Sequence, residues 1–101
     1  MAIYKNISSI TTTTLIEKNG TTKGTIGIIT IANHDNTDLV IVKLYLDDGG
    51  GVDASNPYTI TETTIPPLAT LVLDNNLSFD EKIYSLKIDT STTAEITVII
   101  K

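Results

Sequence analysis

Val40-Ile41-Val42-Lys43-Leu44-Tyr45-Leu46 alternates with a period of two. Val40, Val42, Leu44 and Leu46 fall on one face of a pleated strand, and Ile41, Lys43 and Tyr45 fall on the other. A strand with one apolar face needs a second layer to cover it, so this stretch predicts packed antiparallel sheets. The same chemistry continues outward in both directions. Threonine, isoleucine and valine recur in runs of about five to nine residues, separated by turn-forming residues.

Upstream, Ile3 to Ile10 is a weaker strand anchored by Ile3 and Ile7, and Thr11 to Lys18 is a threonine-rich one. Asn19-Gly20 tolerates positive φ and predicts a tight turn. Gly24 to Ala32 is strand-like but out of phase, since Ile26 and Ile28 share one face while Ile29 and Ile31 share the other. Either a β-bulge near Gly27-Ile28 or burial of both faces accounts for that pattern. Asn33 to Asp38 reads as a polar loop.

Downstream, Tyr58 to Ile65 is a strand closed by Pro66-Pro67, and Leu71 and Leu73 flank Val72 in a short one. Leu77 to Glu81 reads as a packed turn with Phe79, the chain's single Phe, as a plug. Ile83 to Ile88 and Ile96 to Ile100 complete seven or eight strands. The expectation is all-β: an antiparallel β-sandwich, immunoglobulin-like or jelly-roll. Val40 to Leu46 and Ile96 to Ile100 read as core strands, and Thr11 to Thr14 and Thr59 to Thr64 as edge or contact surface. Residues 1–101 are expected to form one domain, with residues 1–10 an N-terminal arm or edge strand.

Composition narrows the chemistry. The 101 residues include no Cys, no Trp, one His and 18 Thr; the seven cationic residues are all Lys, and net charge is −5. Nucleic-acid binding calls for a basic face rich in Arg, so a direct nucleic-acid partner is not expected. Without cysteine there is no thiolate nucleophile and no Cys-ligated zinc. The first residues lack the basic and apolar regions of a signal peptide, and no apolar run is long enough for a membrane helix. No membrane partner is expected, and synthesis in the cytoplasm is.

Four groupings carry residue types that a site could use. Asp47, Asp48 and Asp53 surround a glycine run and resemble a calcium loop, but the EF-hand spacing and its distal Glu are missing, so a solvated loop is the expectation. His34, with Asp35 and Asp38 near it, has no second His for a zinc site and no nucleophile for catalysis. Glu62, between Thr61 and Thr63, reads as an outward or edge charge. Tyr4, Tyr45, Tyr58 and Tyr84 would have to converge to stack a sugar. No catalytic, cofactor-binding or metal residue is therefore assigned, no cofactor is expected, and an enzyme is not the expectation.

One resemblance adds to this. Thr-Leu-Ile-Glu-Lys-Asn-Gly at 14–20, Lys-Gly-Thr-Ile at 23–26, Ile-Thr-Ile-Ala-Asn at 29–33, Leu-Tyr-Leu-Asp-Asp at 44–48, Ile-Pro-Pro at 65–67 and Leu-Val-Leu-Asp at 71–74 follow in an order that resembles small virion structural proteins of tailed bacteriophages, notably those of cyanobacteria. The resemblance implies location in the virion and partners among other virion proteins: the major capsid protein for a decoration (cement) protein, or neck, tail or fibre proteins for an accessory one. It implies no site residue. A homo-oligomer is expected, a trimer suiting three-fold positions of a shell. The alternative of another class is a carbohydrate- or calcium-binding β-sandwich module.

Overall fold

The computed structural model describes residues 2–48, 58–74 and 76–101. Among the described residues ten strands follow one another: β1 Ile3–Ile7, β2 Thr11–Ile16, β3 Thr25–Ile26, β4 Ile29–Asn33, β5 Val40–Asp47, β6 Tyr58–Ile65, β7 Thr70–Leu73, β8 Leu77–Ser78, β9 Ser85–Thr90 and β10 Ile96–Ile100. Eight of them build two four-stranded antiparallel sheets, ordered β1-β10-β4-β7 and β2-β9-β5-β6, while β3 and β8 form a two-residue pair beside them. The described residues contain no helix, and so none long and apolar enough to cross a membrane.

The pairing settles which sandwich this is. Ile3 faces Ile100, Thr11 faces Thr90, Thr25 faces Ser78, Ile29 faces Leu73 and Val40 faces Ile65. First strand pairs with last, second with ninth, and so inward, so the chain is one long two-stranded ribbon rolled up on itself. The additional contacts β10·β4 and β9·β5 join neighbouring turns of the roll. That is jelly-roll order. An immunoglobulin sandwich would pair its first two strands within one sheet; here β1 and β2 lie in different sheets.

Between the sheets lies an aliphatic core. Val40, Val42 and Leu44 from β5 meet Leu86 and Ile88 from β9, and Ile29, Ile31, Ile96, Val98 and Ile100 come from β4 and β10 in the other layer. Every one of these residues occupies an alternate position on its strand, so the period read from the sequence is the period of burial. The two strands read as core, β5 and β10, are both inner strands, and the threonine runs fall on β2 and β6, the two edges of their sheet. Phe79 packs partly buried against the core, its N–H bonded to the Gly24 carbonyl at 2.8 Å. A Cβ on Gly24 would come within 2.3 Å of the Phe79 carbonyl oxygen, so only glycine fits there.

The phase change near Gly27 resolves as a bulge. The N–H groups of Gly27 and Ile28 both donate to the Lys101 carbonyl, at 2.9 and 3.1 Å, two residues opposing one. Ile26, Ile29 and Ile31 are all buried, and Ile28 turns outward. Asn19 adopts φ 61° and the Gly20 N–H closes on the Glu17 carbonyl at 3.1 Å, giving the turn expected at Asn19-Gly20.

Candidate interaction face

Rolling the ribbon gives the sandwich two outer surfaces, and their chemistry is opposite. On the β2-β9-β5-β6 sheet the outward positions form the rows Thr12–Asp89–Lys43–Glu62 and Thr14–Lys87–Tyr45–Thr59, with exposed Ile41 opposite Thr64 beyond the first. Charges alternate in sign along the first row. They are also tied together: Asp89 accepts from the hydroxyls of Thr12 at 2.6 Å and Tyr45 at 3.0 Å. Lys43 Nζ lies 5.4 Å from the centre of the Tyr45 ring, and Lys87 pairs with Asp47 at 2.7 Å. Partial burial, reinforced by the Asp89 carboxylate that accepts the phenol proton, raises the Tyr45 pKa. Cross-strand pairs of this kind stabilise a sheet that faces water.

The β1-β10-β4-β7 sheet presents two different rows: Tyr4–Ile99–Thr30–Val72 and Asn6–Thr97–Ala32–Thr70. None of these positions is charged. Tyr4 and Val72 are largely exposed, as is Ile28 at the adjoining bulge. A surface of methyls, hydroxyls, one amide and one phenol can be covered by a partner without stripping water from a charge, which makes it the candidate interaction face.

At one end of this face lies a cleft of about 350 Å³ lined by Asn6, Ile7, Ser8, His34, Glu95, Ile96 and Thr97. His34 bridges two strands there. Its Nε2 is 3.1 Å from Thr97 Oγ1, and Thr97 Oγ1 donates to Asn6 Oδ1 at 2.8 Å. The three side chains form one hydrogen-bonded row from β1 across β10 to the residue that follows β4. Glu95 Oε2 stands 3.6 Å from Nδ1, a loose charge neighbour beyond hydrogen-bond range.

The residues singled out in the sequence do not converge. Asp35 turns away from His34 and caps its own loop, accepting the N–H groups of Thr37 at 2.9 Å and Asp38 at 3.0 Å. Those backbone bonds, Thr37 foremost, lower its pKa. Among the described residues no group of three His, Asp or Glu is placed to hold a metal ion. Asp47 ends β5 in its pair with Lys87, and Asp48 accepts from Lys18 Nζ at 2.9 Å through its carbonyl. Asp53 and the glycines before it lie outside the described residues. Glu62 is exposed in the middle of edge strand β6. Tyr58 and Tyr84 meet edge to face at 5.7 Å, but Tyr4 and Tyr45 occupy opposite outer faces, so the four do not form a platform.

Sequence reading missed Asn33. Taken as the first residue of a polar loop, it is instead the last residue of β4 and fully buried. Its side-chain amide donates to the carbonyls of Asp38 at 2.9 Å, Ile65 at 3.1 Å and Pro66 at 3.2 Å, and its Oδ1 accepts from the Asp35 N–H at 3.1 Å. One side chain thereby fastens the β4–β5 loop to the end of β6 and holds the rim of the face. The signal was present: Asn33 is in phase with Ile29 and Ile31. Scanned against protein-family models and against curated proteins, the chain matches none.

Proposed function

We propose that this protein is a structural component of a tailed-phage particle, a decoration protein that binds the assembled shell and stabilises it by contact. The observation that carries the reading is the uncharged outer face of the β1-β10-β4-β7 sheet on a chain whose net charge is −5. Charge is abundant in this chain and is kept out of those two outward rows. The jelly-roll order, an architecture common in viral capsid domains, supports the same reading, as does the resemblance carried by the strand-and-turn motifs. A protein that binds only the assembled shell shifts the balance toward assembly by mass action, and needs no catalytic group to do so.

The test is to strip the protein from particles, add it back, and follow their resistance to heat and to low salt. Stripped particles are expected to open at lower temperature, with add-back restoring them; unchanged particles would sink the cement role. A neck, tail or fibre position is the second reading within the same class, and it separates from the first by copy number per particle: hundreds for the shell, a few for the tail.

A further inference from the structure

The free edge of β7 is unlike the other three. β1 carries Lys5 at its centre, β6 carries Glu62, and β2 is interrupted by a register shift at Leu15. Charges and bulges are the usual devices that keep an edge from pairing with another molecule. β7, Thr70–Leu73, has neither charge nor proline nor register shift.

Its two ends are complementary to each other. Before β7, the turn Pro66-Pro67-Leu68-Ala69 is closed by the Ala69 N–H on the Pro66 carbonyl at 3.2 Å. Leu68 sits at φ 63°, a conformation suited to Gly or Asn, and is 70% exposed. A bulky aliphatic knob is therefore held out by strained backbone. After β7, a cleft of about 90 Å³ opens, lined by Ile26, Ile29, Ile60, Leu73 and Leu77 with Gly27 and Asn76 beside them. That is far below the size of an ordinary small-molecule site and suits a single side chain.

We infer that β7 is a self-pairing edge and that the protein forms a two-fold dimer through it. Antiparallel pairing centred on Leu71 places Leu73 opposite the partner's Ala69 and brings the partner's Leu68 to the mouth of the cleft. Symmetry repeats the contact, so each copy supplies one knob and one hole, the self-complementarity that a two-fold interface requires. Charge permits it as well. The turn and β7 are uncharged, and the two Asp74 carboxylates that follow stand about 20 Å apart across the axis, beyond the screening length. Glu62 keeps β6 from pairing, so the contact is confined to one layer. The dimer also sets two uncharged faces side by side. It does not depend on the particle reading.

Sedimentation of the full chain up to about 100 μM tests it. The expected species has twice the 10.9 kDa chain mass. Leu68→Gly removes both knobs and is expected to weaken the dimer about 100-fold, roughly tenfold for each buried leucine. It should also raise the melting temperature in dilute solution, since glycine accepts the turn without strain; a leucine with a merely structural role would give the reverse. Val72→Lys places a charge on the edge and is expected to give monomers of unchanged circular dichroism. A wild-type monomer or trimer overturns the inference, as does a dimer indifferent to both substitutions. Particle binding is measured in a separate arm: its absence in wild type overturns the proposed function and leaves the dimer untouched.

Discussion

The two outer surfaces of the sandwich are made from similar residues and reach opposite ends. Both are threonine-rich sheet faces of four strands. On the β2-β9-β5-β6 side, Asp89 accepts from the Tyr45 and Thr12 hydroxyls, Lys43 lies over the Tyr45 ring and Lys87 pairs with Asp47, so much of the charge on that surface already has a partner within the domain. On the β1-β10-β4-β7 side the two outward rows carry no charge, and Tyr4, Ile28 and Val72 remain open. The lesson is that β-branched polar residues say where a sheet is, while the placement of charge says which side of it meets water.

The two sides share one core, and the largest effect should come from breaking what fastens it. Asn33→Ala removes the two amide N–H donors that the Asp38, Ile65 and Pro66 carbonyls share, of which Pro66 keeps the Ala69 N–H. It is expected to cost about 3 kcal/mol in a denaturant melt, and to erase the difference between the faces by loosening both. A cost under 1 kcal/mol would show that the junction is wetter than its burial implies.

Thr30→Lys and Thr30→Glu aim at the uncharged side alone. Either sign of charge at the centre of that face should weaken particle binding about 100-fold while moving stability by less than about 1 kcal/mol. Binding that survives both would move the interface elsewhere. Asp89→Ala is the mirror experiment. It removes the acceptor of Tyr45 and Thr12 on a half-exposed surface, for an expected loss of about 1 kcal/mol and no change in binding.

The smallest effect is in pH. The folded-state pKa of Tyr45 is raised, so its contribution is fully present below the ordinary tyrosine value near 10 and fades as pH rises through the folded value. A shallow alkaline decline in melting temperature is expected, and it should vanish in Tyr45→Phe. An identical decline in that variant would assign it to other groups.

Much of this was legible in the chain. The alternation of Val40 to Leu46 named the inward face through the two-residue period of a strand, and the four consecutive threonines from Thr11 read as edge or contact surface because they keep β propensity while adding hydroxyls. The rolled pairing was not legible. Which strands become neighbours is decided by contacts between residues as distant as Ile3 and Ile100, and no local pattern encodes them. For the same reason the uncharged face could not be seen, since its rows draw single residues from β1, β10, β4 and β7. The His34 cleft was hidden too: the imidazole reaches Thr97 only because β10 is laid beside β4. Asn33 was lost differently, its polar character outweighing its phase.

Nested pairing also prescribes an order of events. A sheet protein ordinarily folds slowly because distant strands must find each other across a long floppy chain. Here, once β5 has zipped to β6, β4 and β7 are already brought near, and each rung in turn delivers the next until β1 closes on β10. Long-range structure is assembled by steps that are each short. The outermost rung should be the last to form and the first to fray, so hydrogen exchange should be fastest in β1 and slowest in β5, and the reverse gradient would exclude zipping.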